Sequence, residues 1–178
     1  DGGGIFNSST GTVTITDSVL SDNAAQTGAG LRNDGQVTID GTVFSGNMAS
    51  GAIGRNGGAI FNTAAGDISI ARSTFSNNSA TNTGGAVYGD GTIGIDSSLF
   101  AGNMSTAEGG AIYMTSNAEI MLSQSTLSAN TAGAAGGAVF IAGASSLTLD
   151  SVTVTLNTAT GGAGGIHNGT GTVSIANT

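Results

Sequence analysis

The sequence predicts an all-β solenoid, a single parallel β-helix of about seven coils with about 27 residues in each. Three observations predict this fold. A repeat of nearly constant length runs through the chain, each repeat contains three short strand-like segments, and glycine is frequent (32 of 178 residues) while proline is absent. A short strand with one buried face is not stable alone, whereas stacked copies bury their faces against one another. A β-propeller would need four strands and a longer unit per repeat.

The first element of each repeat is a glycine-rich segment that ends in an aliphatic residue. Gly-Gly-Ala-Ile/Val occurs at 57–60, 84–87, 109–112 and 136–139, and looser copies stand at 2–5, 28–31 and 163–166. Because the glycine pair recurs in every coil and no helix pattern follows it, we interpret it as a tight corner and not as a phosphate-binding loop. The repeats begin near residues 2, 28, 57, 84, 109, 136 and 163 of one domain, 1–178. The inward column is Ile5, Leu31, Ile60, Val87, Ile112, Val139 and Ile166.

The second element is a run in which aliphatic and mostly small residues alternate. It reads Val13-Thr14-Ile15, Val37-Thr38-Ile39, Ile68-Ser69-Ile70, Ile93-Gly94-Ile95, Ile120-Met121-Leu122, Leu147-Thr148-Leu149 and Val173-Ser174-Ile175. Period two with β-branched residues predicts a strand whose aliphatic side chains face the core and whose central side chain faces out.

The third element is Phe-x-x-Asn or a variant of it. Its first residue predicts another inward column, made of Leu20, Phe44, Phe75, Phe100, Leu127 and Val154. The asparagines predict a structural ladder at a turn, because asparagine tolerates the left-handed backbone region and can bond its equivalent in the next coil. Ligand binding by the same side chains is the alternative. The ladder residues are Asn23, Asn47, Asn78, Asn103, Asn130 and Asn157.

Charge and composition exclude several functions. Eleven acidic residues stand against three arginines, giving a net charge of −8. Without a basic stripe we expect no nucleic-acid partner and no attachment to anionic lipid. No apolar run is long enough for a spanning helix, so direct membrane insertion is not expected. The chain has no cysteine, which excludes disulfide scaffolds and thiolate metal sites, and we expect no metal or other cofactor.

The paired motifs Gly-Gly-Ala-Ile/Val and Phe-x-x-Asn resemble the repeats of chlamydial polymorphic outer membrane proteins and, equally, those of large bacterial surface β-helix proteins. Four strict copies of the first motif and three of the second carry the resemblance, which covers 2–178. It implies a right-handed β-helix that is secreted, similar to an autotransporter passenger, and used in adhesion or as a structure on the outer cell surface. The chain differs from those families in having no cysteine.

One column predicts a candidate interaction surface. The residue after each aliphatic of the first segment is Phe6, Arg32, Phe61, Tyr88, Tyr113, Phe140 or His167. Strand alternation sends this column outward, and an exposed aromatic row often marks a contact surface. It could meet a protein or a glycan on a cell surface. The alternative is that the flanking glycines shift the register and the rings face the core.

Enzymes such as polysaccharide lyases and polygalacturonases also use β-helices, so a pectate-lyase-like enzyme is an alternative. Asp40, Asp96 and Asp150 follow the middle strand in alternate coils. Their spacing would be about 9.6 Å, twice the strand spacing, which is near the upper limit for an inverting pair of carboxylates. Since repetition makes the three equivalent, nothing separates an acid from a base, and we interpret them as solvated turn residues. The prediction is that the chain is not an enzyme.

Ice binding is a further alternative, because some ice-binding proteins are β-helices with flat threonine rows. The outward column of the middle strand is Thr14, Thr38, Ser69, Gly94, Met121, Thr148 and Ser174, in which Gly94 and Met121 interrupt the row. A second flat face would carry Ser21, Ser45, Ser76, Ala101, Ser128 and Thr155.

The two ends of the chain carry ordinary repeats, so we expect unpaired strand edges there. Two interpretations stay open. The chain is a segment of a longer surface solenoid, or identical subunits stack head-to-tail into a fibre.

Overall fold

A computed structural model describes residues 2–52 and 54–178, so Asp1 and Ile53 of the expected domain lie outside it. The described chain contains only β-strands as regular structure, and every strand pairing is parallel. Each strand pairs with the equivalent strands of the coils before and after it. The fold is the predicted parallel β-helix, with six complete coils and the first two strands of a seventh.

The strands of successive coils form four sheets, which we name A to D in the order in which a coil passes through them. Sheet A contains Ile5–Asn7, Leu31–Asn33, Ile60–Asn62, Val87–Gly89, Ile112–Met114, Val139–Ile141 and Ile166–Asn168. Sheet B contains Thr12–Thr16, Gln36–Asp40, Asp67–Ala71, Thr92–Asp96, Glu119–Ser123, Ser146–Asp150 and Thr172–Ala176.

The other two sheets have six strands each. Sheet C contains Val19–Ser21, Val43–Ser45, Thr74–Ser76, Leu99–Ala101, Thr126–Ser128 and Thr153–Thr155. Sheet D contains Ala24–Ala25, Met48–Ala49, Ser79–Ala80, Met104–Ser105, Thr131–Ala132 and Thr158–Ala159. Sheets A to C are the three predicted strands of each coil, and sheet D adds a fourth, of two residues, that the repeat pattern did not reveal.

The core is a set of columns of identical or similar side chains. Phe44, Phe75 and Phe100 are fully buried, and their rings stack with centroids 4.9 Å and 4.6 Å apart. The predicted burial and contact of Phe75 with Phe100 are therefore confirmed. The aliphatic columns of sheets A and B are in register from coil to coil and line the same core.

The predicted asparagine ladder stands at the corner between sheets C and D. The Nδ2 of Asn103 donates to the Oδ1 of Asn130 (2.9 Å) and to the carbonyl oxygen of Phe75 (2.9 Å). Its Oδ1 accepts from the backbone N and from the Nδ2 of Asn78, both at 3.0 Å. Each interior asparagine repeats this pattern, so the predicted structural role is confirmed.

The reason given for asparagine at this corner is wrong, however. The left-handed residue of each turn is the one before the asparagine, with φ between +54° and +65°. Those residues are Asp22, Gly46, Asn77, Gly102, Ala129 and Leu156. Asparagine is needed for its amide group, which bridges coils, and its own backbone is not left-handed.

Two further ladders escaped the sequence analysis. At the corner between sheets A and B, Asn7 donates to Asn33 (2.8 Å) and Asn33 to Asn62 (2.9 Å). At the corner between sheets B and C, the backbone N of Ser73 donates to the Oγ of Ser98 (3.0 Å), and that of Ser98 to the Oγ of Ser125 (3.0 Å). Buried polar groups at three corners are thus satisfied by the next coil.

Candidate functional site

The candidate site is the aromatic row on the outer face of sheet A, defined as Phe6, Arg32, Phe61, Tyr88, Tyr113, Phe140 and His167. Alternation along each strand places it there. In Ile60–Asn62, Ile60 and Asn62 are buried while Phe61 between them is half-exposed. The other strands repeat the arrangement, so the rings do not point into the core.

The rings of the aromatic row lie face to face. Centroid distances are 4.6 Å for Phe61 and Tyr88, 5.4 Å for Tyr88 and Tyr113, and 5.5 Å for Tyr113 and Phe140. The imidazole of His167 continues the stack on Phe140 at 5.0 Å, with 3° between the planes. Each interior ring therefore has both faces covered, and its outer edge is what reaches solvent.

Arg32 occupies one position of the aromatic row in place of a ring. Its guanidinium carbon lies 5.8 Å from the Phe6 centroid and 5.5 Å from the Phe61 centroid, within the range of cation–π attraction. The Nε lies 3.4 Å from the Oδ1 of Asp34. The row thus carries a cation whose charge is balanced by an adjacent carboxylate.

The loop between sheets D and A flanks the aromatic row on one side. Gly109, with φ of +66°, packs so closely that a Cβ there would lie 2.9 Å from the Cα of Tyr113. A Cβ at Gly162 would lie 3.2 Å from the Nδ1 of His167. The turn after sheet A flanks the other side with Asp34 and Asp90. These two turns therefore border the aromatic row.

Carboxylates influence the two tyrosines of the row. Burial raises the pKa of Tyr88, and the Asp90 carboxylate and Tyr113 raise it further. Burial also raises the pKa of Tyr113, to which Glu108 adds. Both phenols stay protonated at neutral pH and can donate or accept hydrogen bonds. Asp90 itself accepts a hydrogen bond from the Oγ1 of Thr115.

Asp40, Asp96 and Asp150 stand in one column of sheet B, in alternate coils as predicted. Each is held as a hydrogen-bond acceptor. Arg72 donates to Asp40, and Asn177 donates to Asp150 at 3.0 Å. Hydrogen bonds from Ser123 (2.6 Å) and Ser97 (2.8 Å) lower the pKa of Asp96. A carboxylate stabilised in this way is a poor proton donor.

The outer face of sheet B has the interruptions that the sequence indicates. Met121 is exposed, and a Cβ at Gly94 would have no atom within 4 Å, so the hydroxyl row has a gap and a protrusion. A shallow concavity on this face is lined by Thr12, Gln36, Val37, Thr38, Asp67 and Ser69.

Two kinds of feature are absent from the part of the chain that the structure describes. Across 2–52 and 54–178, no three histidine or acidic side chains come close enough to share a metal ion. The same residues form no helix with the length and hydrophobicity needed to cross a bilayer.

One comparison with known proteins gives a match. A family model described as "right handed beta helix region" matches residues 3–178, essentially the whole chain. No curated protein and no solved structure matches.

Proposed function

Because the chain belongs to the right-handed β-helix family, we propose that it is a non-enzymatic module of an extracellular or cell-surface protein. In this proposal it is an adhesin or surface-fibre segment that contacts its partner through the aromatic row. The family contains enzymes and non-enzymes, so membership alone leaves catalysis open.

The observation that carries the proposal is the aromatic row itself. Large aromatic side chains normally belong in a core, and contiguous exposed apolar surface often marks a contact site. Here Phe61, Tyr88, Tyr113 and Phe140 are half-exposed side by side on one face of a rigid scaffold. Such rigid aromatic side chains lose little conformational entropy when a partner covers them.

The state of the aspartates supports a role without catalysis. An acid–base pair needs one protonated and one ionised carboxyl group with separated pKa values. The three aspartates of sheet B occupy equivalent positions and all accept hydrogen bonds from neighbouring side chains. Because hydrogen bonds lower the pKa of Asp96, that residue is unsuited to be the acid of a pectate-lyase-like alternative.

Adhesion of protein-coated beads to epithelial cell layers tests the proposal. We expect beads carrying the protein to adhere, and the double variant Tyr88→Ser/Tyr113→Ser to lower adhesion at least about tenfold, as loss of central aromatic contacts does in other interfaces. Phe61→Ser is a second row variant. Leu99→Ser is the matched control, because Leu99 is an exposed apolar residue of sheet C, 37% accessible.

Circular dichroism of each variant separates lost contact from lost folding. Equal adhesion of folded row variants and of the Leu99→Ser control would contradict the proposal, as would an absence of adhesion by the parent protein.

In a second form of the proposed function, identical subunits stack head-to-tail through their outermost coils and build a surface fibre. The outermost coils have unpaired strand edges, and core residues such as Ile5 and Ile166 are only partly buried there. A further coil of the same chain or a second copy would cover these edges alike. We expect the mass of the isolated segment, measured by analytical ultracentrifugation, to rise with concentration. A monomer at every concentration would contradict the fibre form.

Ice binding has one observation in its favour, the in-register hydroxyl residues Thr14, Thr38 and Ser69 on the first coils of sheet B. The interruption at Gly94 and Met121 disfavours a continuous ice-matching face. Measurement of thermal hysteresis distinguishes this alternative, because the surface-module proposal expects none.

A further inference from the structure

We propose that the aromatic row receives a protein segment bearing lysine or arginine side chains, which pair with Asp90 and Glu108 in the turns that border the row. This inference rests on the proposed function and specifies the chemistry of the partner. A glycan is the competing occupant, and the geometry of the rings and the charge beside the row distinguish the two.

Ring orientation disfavours a glycan. A sugar packs its apolar face flat against the face of an aromatic ring. In the aromatic row both faces of Tyr88 and of Tyr113 are covered by neighbouring rings at 4.6 to 5.5 Å. A partner meets only ring edges and the phenol hydroxyl groups. Ring edges provide apolar contact to aliphatic side chains without requiring a flat sugar.

The charge beside the aromatic row favours a basic partner. Asp90 lies directly after the strand that carries Tyr88, and Glu108 lies directly before Gly109, whose backbone packs against Tyr113. The nearby cation Arg32 is already paired with Asp34. Burial is the main cause of the raised pKa values of both tyrosines, and the nearby carboxylates of Asp90 and Glu108 raise them further.

The whole chain strengthens this preference. A net charge of −8 attracts basic partners and repels acidic ones over distances set by ionic strength. Apolar ring edges flanked by the Asp90 and Glu108 carboxylates suit a segment that carries both basic and aliphatic side chains, because opposite charges at the rim fix register and speed association.

The composition supplies a probe for the experiment. The chain contains two tyrosines and no tryptophan, and both tyrosines lie in the aromatic row. Intrinsic tyrosine fluorescence therefore reports on this surface alone. The protein is titrated with a short peptide of alternating lysine and valine, with a matched peptide of alternating glutamate and valine, and with a neutral cello-oligosaccharide.

We expect saturable binding of the lysine peptide that weakens with added salt, and no binding of the other two. The double variant Asp90→Asn/Glu108→Gln should weaken binding about five- to tenfold, as expected for the loss of two partly exposed ion pairs. Asp67→Asn/Glu119→Gln is the matched control, because it removes one aspartate and one glutamate from the outer face of sheet B.

Equal binding of both peptides, equal affinity in both double variants, or binding of the oligosaccharide alone would each overturn the inference. The bead assay separates this outcome from failure of the proposed function. If row variants lose adhesion while Asp90→Asn/Glu108→Gln retains it, only the basic partner is wrong. If row variants keep full adhesion, the contact surface itself is wrong.

Discussion

Two corners of the same solenoid use asparagine differently. At the corner between sheets C and D, asparagine occupies the equivalent position in all six coils. At the corner between sheets A and B, it occupies the first three coils and the seventh, where it is Asn168, whereas Gly89, Met114 and Ile141 take its place in between and are buried.

The hydrogen bonds explain the difference. An asparagine of the C–D corner forms hydrogen bonds with the coils on both sides of it. Asn103, for example, donates to Phe75 and Asn130 and accepts from Asn78. An asparagine of the A–B corner also serves its own turn, as when Asn62 donates to the carbonyl oxygen of Gly66 (3.0 Å). In the fifth coil that turn keeps its backbone bond, from the N of Ala118 to the oxygen of Thr115, which the third coil also has between Gly66 and Thr63. A ladder is retained where the neighbouring coils depend on it.

Replacing a central asparagine of the C–D corner should have the largest effect. Asn103→Ala removes a fully buried side-chain amide. It leaves the carbonyl oxygen of Phe75 and the backbone N–H of Asn78 without these hydrogen-bond partners. We expect a loss of about 3 kcal/mol in the free energy of unfolding, measured by urea denaturation. If the variant unfolds at the same urea concentration as the parent, the ladder does not stabilise the fold.

Replacing the last asparagine of the A–B ladder should have a smaller effect. Asn62→Met introduces the residue type that occupies the equivalent position, 114, in the fifth coil. The substitution removes the oxygen that accepts from Asn33 and the NH₂ group that donates to Gly66. Since the bond from Asn62 to the next coil, to the carbonyl oxygen of Thr92, is long (3.5 Å), we expect a loss of about 1–2 kcal/mol. A loss as large as that of Asn103→Ala, measured in the same urea series, would remove the distinction between the corners.

The turn of the C–D corner can be improved. Ala129 has φ of +54°, whereas the equivalent residues Gly46 and Gly102 are glycines. A left-handed conformation disfavours a residue with a Cβ by roughly 1–2 kcal/mol. Ala129→Gly should therefore raise the free energy of unfolding by about 1 kcal/mol, even though glycine loosens the unfolded chain. A lower melting temperature in differential scanning calorimetry would show that the strain is relieved in some other way.

A buried hydroxyl group just beyond this corner offers a smaller gain. Ser105 is 2% exposed, and its Oγ has no hydrogen-bond partner among the described residues. Its neighbours in sheet D, Ala80 and Ala132, have no hydroxyl group. Ser105→Ala should stabilise the protein by up to about 1 kcal/mol. Ser128→Ala on the outer face of sheet C is the control, and an equal shift in both variants would contradict the argument.

The stability of the protein at high pH depends on the aromatic row and not on the two corners, because the corners contain no tyrosine. Burial, with smaller effects from Asp90 and Glu108, raises the pKa values of Tyr88 and Tyr113 above the ordinary 10.0. The folded state thus disfavours the phenolate, so its stability is complete below pH 10 and falls as the pH rises through the folded pKa values. The chain has no lysine or cysteine to titrate there. Tyr88→Phe/Tyr113→Phe should flatten the decline in melting temperature, and an unchanged decline would exclude the tyrosines as its cause.

The sequence predicted the features that recur in every coil. The inward columns, the stack of Phe75 on Phe100 and the C–D ladder all follow from period two and a constant repeat length. The strand Met104–Ser105 is too short to show alternation, so sheet D escaped notice. The A–B ladder escaped because Gly89 and Met114 break its repetition. The left-handed residue of the C–D turn was predicted one position too late, at the asparagine, because composition alone does not show which turn residue has a positive φ.

The outward direction of the aromatic row followed from alternation, whereas its chemistry depends on distances between coils. Face-to-face stacking of Tyr88 on Tyr113, which leaves only their edges accessible, is a property of the register. The same holds for the approach of Glu108 to Tyr113, which depends on the tight backbone at Gly109. Nothing in the sequence around Glu108 or Tyr113 indicates that the two residues lie close together.

The pairing of each strand only with adjacent coils has a mechanical consequence. Hydrogen bonds between coils run along the axis of the rod, so a pull on the two ends of the chain detaches the terminal coils one after another. Each coil that detaches releases roughly 90 Å of extended chain while the rod shortens by only about 4.8 Å. A tether built from such coils lengthens in equal steps under force and limits the tension on whatever it holds.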